Sequence, residues 1–181
     1  GNRTMMRIRR IGMKVTDRLL TALLSAVLFS LGAPVKAQEP PPRPVIITVN
    51  PAQPLAFGAF TPGAAGGSVT VSPDGTTRTT TGTVITLNLG MLYTPAMFYV
   101  RANPGTVISL LSGPPSTISG SNGGTLSLQL DNTYPASPFV TMVPYQQQTT
   151  VLLGGTLFVG TIGSNPAGNY SGTINVTFVQ E

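Results

Sequence analysis

The chain has 181 residues, lacks cysteine, histidine and tryptophan, and is only 8% charged, with 21 glycines and 17 prolines. That composition excludes a disulfide framework, a Cys/His zinc site and catalysis through a histidine base. The net charge of +5 is unevenly placed, since residues 1–37 carry +6 and residues 38–181 carry −1 with no lysine at all. Phosphate neutralisation needs clustered cations, so no nucleic-acid partner is expected.

Lys14 and Arg18 precede an apolar run over 19–31, which Gly32 and Pro34 break. Val35-Lys36-Ala37 then puts small residues one and three positions before a cut, the pattern of a secretory signal peptide. The run is shorter than the about 20 apolar residues that span a bilayer, so no membrane span is expected once it is removed. Cleavage is expected between Ala37 and Gln38; a cut after Ala33 would leave Pro34 beyond the scissile bond. Export to the periplasm, cell surface or medium follows. Residues 1–4 precede Met5, Met6 and Met13, the candidate starts, and are not read as native.

The expected organisation is a leader over 1–37, a proline-rich spacer over 38–44 and one domain over 45–181. Glu39-Pro-Pro-Pro-Arg-Pro44 suits an extended polyproline II spacer. Beyond it, strands are expected at 45–49, 68–72, 83–89, 96–102, 106–111, 125–130, 156–162 and 173–179. Alternation carries these assignments: Val69 and Val71 share a face, as do Ile85, Leu87 and Leu89, then Leu126, Leu128 and Leu130, then Ile174, Val176 and Phe178. Ser72-Pro-Asp-Gly75, Asn103-Pro-Gly105, Gly113-Pro-Pro115, 119–124 and 163–166 are turns, because proline presets φ and Gly or Asn accepts positive φ. No sustained helical period occurs. The fold class is all-β, a sandwich or barrel.

Chemistry is sparse. Asp74 and Asp131 are the only acids inside the domain, and each sits in a turn that favours Asp for its own geometry. A glycosidase needs two carboxylates across a cleft, and a calcium site needs several oxygen ligands. No glycine-rich stretch leads into a Lys-Ser/Thr helix start. No catalytic residue, metal ligand or cofactor site is assigned, and no enzyme is expected. The five tyrosines could form a stacking surface for glycans or could sit at core edges.

Several blocks resemble the bacterial secreted family known as domain of unknown function 4402. They are Leu55-Ala-Phe57-Gly58, Gly66-Gly67-Ser-Val-Thr-Val71, Thr81-Gly82-Thr-Val84, Ala96-Met-Phe98, Leu153-Gly-Gly155-Thr-Leu157 and Gly168-Asn-Tyr170-Ser-Gly172-Thr173. The resemblance covers about residues 45–180. It implies structural roles for Phe57, Gly58, Gly67, Gly82, Phe98, Gly155, Gly168, Tyr170 and Gly172. The Phe-Gly opening and Gly-x-Tyr closing blocks are also similar to spore-coat-U-like proteins and chaperone–usher pilins. That likeness implies an immunoglobulin-like sandwich with a surface or fibre role.

Two function classes follow. One is a structural or coat subunit that self-associates, or meets pilin-like partners, by strand addition. Edge strands are usually guarded by lysine, which residues 38–181 lack. The strand at 173–179 runs almost to the end of the chain, which makes it a candidate edge, while 45–50 is the candidate donor. The other class is a monomeric glycan- or cell-wall-binding module.

Overall fold

The computed structural model describes residues 41–181. The leader, the expected cleavage pair Ala37 and Gln38, and the start of the spacer lie outside the described residues.

The domain is all-β, with antiparallel pairing throughout and no helix among the described residues. The strands are β1 (Ile46–Val49), β2 (Ala56–Phe57), β3 (Ala59–Thr61), β4 (Gly67–Val71), β5 (Arg78–Gly82), β6 (Ile85–Leu87), β7 (Tyr93–Thr94) and β8 (Ala96–Arg101). There follow β9 (Val107–Leu111), β10 (Ser116–Gly120), β11 (Thr125–Tyr134), β12 (Phe139–Val140), β13 (Thr149–Val159), β14 (Tyr170–Ser171) and β15 (Thr177–Gln180).

The large sheet runs β1-β8-β13-β11-β10-β14, and β4 with β5 joins it at β13. β13 is the organising strand. One of its edges follows β11. Its other edge pairs with β8 over Thr149–Leu153 and with β4 over Gly155–Val159. The change of neighbour falls at Gly154-Gly155, where a side chain would not fit. A Cβ on Gly154 would lie 2.5 Å from the Val71 carbonyl oxygen and 2.7 Å from the Pro73 nitrogen. A smaller sheet, β12-β9-β15, and two ribbons, β2-β7 and β3-β6, form the rest.

Two apolar clusters result. Phe98, Val100, Val151 and Leu153 from the large sheet pack with Ile108 and Phe139 from the small sheet, and Phe178 joins from β15. Phe98 and Phe178 meet edge to face at 5.5 Å, a favoured aromatic geometry. The second cluster, Val69, Ile118, Leu126, Leu128, Leu157 and Val159, lies on the β4-β13-β11-β10 half and is covered in part by Leu55, Phe57, Phe60, Tyr170 and Ile174.

Most expected strands are present, and the differences have physical causes. The strand expected at 156–162 begins instead at Thr149 and ends at Val159, because the glycine pair is a close backbone approach rather than a stop. The strand expected at 83–89 is shortened. β5 ends at Gly82 (φ +64°), and β6 holds only Ile85–Leu87, with Ile85, Leu87 and Leu89 exposed. The strand expected at 173–179 is interrupted between β14 and β15, although its alternation persists: Ile174, Val176 and Phe178 are half-buried while Thr173, Asn175 and Thr177 are exposed. β11 continues to Tyr134 across a register shift between Leu130 and Thr133, where the Asp131-Asn132 bulge redirects the strand.

Candidate apolar groove

The two halves of the large sheet are covered unequally. Over β1-β8-β13 lies the small sheet. Over β4-β13-β11-β10, among the described residues, the second layer is only the ribbons β2-β7 and β3-β6 and a returning loop at the margins. Between these margins runs a groove of about 860 Å³. Its floor is Ile118, Leu126, Leu128, Leu157 and Val159. Segment 54–62 forms the wall on the β4 side, and 165–172 with Ile174 forms the wall at the β10 and β14 side. Leu87, Leu89, Met91 and Leu92 make the rim.

Each wall is fixed by a polar device that leaves its apolar side chains free to line the groove. In the first wall, Arg78 reaches from β5 and donates from Nη1 to the Phe57 carbonyl at 2.9 Å, with its guanidinium over the Tyr93 ring, 5.1 Å from the centroid. Gly58 makes this approach feasible. Its φ is +69°, and a Cβ there would collide with Arg78 Nη1. In the second wall, Tyr170 donates its hydroxyl to the Pro166 carbonyl at 2.8 Å, which closes the loop between them. Buried Asn165 accepts from Gly160 N–H at 2.6 Å and donates to the Thr125 carbonyl at 2.8 Å.

The family blocks therefore sort by place. Phe57, Gly58, Gly168, Tyr170 and Gly172 line the groove. Gly168 faces Ser121, and Gly172 faces Ile118. Gly155 lies under the first wall, against Leu55 and Leu128. Gly67 and Gly82 pair across β4-β5, where the backbones approach too closely for a side chain. Phe98 stands apart, in the covered half. Sequence patterning did not single out Met91, Leu92 or Ile162, which also border the groove.

Among the described residues, no Asp, Glu, Lys or Arg lines the groove. Asp74 sits in the β4-β5 turn, where hydrogen bonds from the Ser72 hydroxyl and from the Thr76 amide and hydroxyl hold its carboxyl below the usual range. Asp131 accepts from the Thr156 hydroxyl at 2.8 Å. Among the described residues, no three acidic, His or Cys side chains gather, and no helix is long and apolar enough to cross a membrane. Four of the five tyrosines are engaged within the domain. Tyr93 stacks with Arg78 and Tyr145 with Arg43, Tyr99 accepts from Asn50, and Tyr170 closes its loop. Tyr134 is exposed.

The family described as Domain of unknown function (DUF4402) matches residues 47–179, and the chain belongs to it. No curated protein and no solved structure matches the chain.

Proposed function

We propose that the protein is an exported structural or surface-associated subunit, built as an immunoglobulin-like sandwich, that assembles by adding strands at open sheet edges. The observation that carries this reading is β1. Among the described residues it ends the large sheet and pairs only with β8, and it exposes all four of its residues. Ile46, Ile47 and Val49 put aliphatic side chains on both of its faces, and 45–50 holds no charge. An apolar edge without charged guards favours pairing with another chain, even at four residues. β1 is also pinned at both ends. Tyr145 donates to the Pro44 carbonyl at 3.1 Å, while Asn50 donates its backbone N–H to the Met97 carbonyl at 2.9 Å and its side chain to the Tyr99 hydroxyl at 3.1 Å. That favours β1 as a rigid template over a donated strand.

The test is Thr48→Lys, a charge on an exposed position of β1. It should abolish assembly beyond a dimer, seen by size-exclusion chromatography with light scattering, and leave the melting temperature within a few degrees. A wild-type protein that stays monomeric at high concentration, with no neighbouring gene product bound, overturns the reading.

A monomeric glycan- or cell-wall-binding role is the second reading, and one observation favours it. Phe158 is 49% exposed on the outward face of β13, with Ser68 and Ser127 as its cross-strand neighbours. An aromatic platform among hydroxyls suits a sugar ring. Retention of a monomer on insoluble cell-wall polysaccharide, lost in Phe158→Ala, would establish that role instead.

A further inference from the structure

The groove has a rim that faces outward. Leu89 is 67% and Leu92 79% exposed, with Ile85, Leu87 and Met91 exposed beside them. Ile85, Leu87 and Leu89 form the apolar face of an alternating stretch, with Thr86 and Asn88 between them. Such a face normally exists to be covered. Contiguous exposed apolar surface of this kind marks an interaction site.

We infer that this face binds a second copy of the chain, with the 85–92 rim of each molecule seated in the groove of the other about a twofold axis. Three observations select that occupant. An exposed apolar rim and the apolar groove that it borders lie on the same face and are self-complementary, which is what an isologous interface requires. Neither 85–92 nor the groove lining holds an Asp, Glu, Lys or Arg, so two copies meet without opposing like charges. The polar groups of the backbone are the third. β6 pairs only with β3, and segment 172–176 at the groove margin forms no backbone hydrogen bond to another described residue. An incoming peptide edge can satisfy such groups, whereas an acyl chain would bury them without partners. This surface is distinct from the β1 edge.

Sedimentation velocity of the exported protein across a hundredfold concentration range tests the inference. Wild type should dimerise, and Leu92→Asp should weaken the dimer at least tenfold with little change in melting temperature, because Leu92 is already exposed. Leu111→Asp, an exposed site on β9 away from the groove, should leave the dimer intact. Amide exchange in 85–92 and 172–176 should slow together as concentration rises. A dimer that resists Leu92→Asp and yields to Thr48→Lys overturns this inference and supports the edge-strand reading. A dimer that resists both, a monomer at every concentration, or a monomer that takes up a fluorescent fatty acid in the groove also overturns it.

Discussion

The two halves of the large sheet share β13 and are equally apolar on their inner faces, yet one is closed and the other open. Over β8 and the first part of β13, three strands supply a complete second layer, and Phe98, Val100, Val151 and Leu153 are buried against it. Over β4, β11 and the last part of β13, the second layer is reduced to two ribbons and a returning loop, and side chains that would fill its centre are exposed at the rim. The difference is one of connectivity. Apolar content alone does not close a sandwich; a strand must be routed across it. The closed half holds the more completely buried core, and the open half leaves apolar side chains exposed.

Truncating one aromatic in each half should measure this contrast. Phe98 is 5% exposed and packs edge-on to Phe178, so Phe98→Ala should cost about 3–5 kcal/mol in chemical denaturation. Phe57 is half-buried in the groove wall, and Phe57→Ala should cost clearly less, about 1–2 kcal/mol, by the same bookkeeping of apolar area. Equal losses would mean that the open half is as tightly packed as the closed one. Gly58→Ala should fall in the same smaller range, since a left-handed conformation costs a non-glycine residue about 1–2 kcal/mol and the Cβ also displaces Arg78 from the Phe57 carbonyl. The smallest effect is expected at the β4-β5 turn. Asp74 has a folded-state pKa below its ordinary 3.8. Its stabilising contribution is therefore present above that value and disappears as pH falls through the lower folded value. Wild type and Asp74→Asn should differ slightly at neutral pH and converge in acid, read as melting temperature against pH.

Alternation made β4, β8, β9 and the first part of β11 legible, because each has one buried and one more exposed face. It failed where that asymmetry was weak or interrupted. Leu152-Leu153-Gly154-Gly155 breaks the period, so the first half of β13 was hidden, although the strand is continuous there. β10 is mostly Ser, Thr and Gly next to a Pro-Pro turn, and only Ile118 marks it as a strand. The sharing of a face by Ile85, Leu87 and Leu89 was readable; their exposure was not, since it depends on what lies opposite. The groove itself left little local trace. Phe57-Gly58 and Gly168–Tyr170 were recognisable as blocks 110 residues apart by their numbering, but only the sheet order brings them to the two margins of one floor.

β13 also links the two halves mechanically. Its central amides sit between β11 on one edge and either β8 or β4 on the other. Neither half can open at its centre without releasing bonds that the other half uses. Unfolding should therefore be cooperative across the groove and the covered core, with the paired amides of Val151–Leu153 and Gly155–Leu157 among the last to exchange with solvent. An occupant of the open half would thereby add to the lifetime of the closed one.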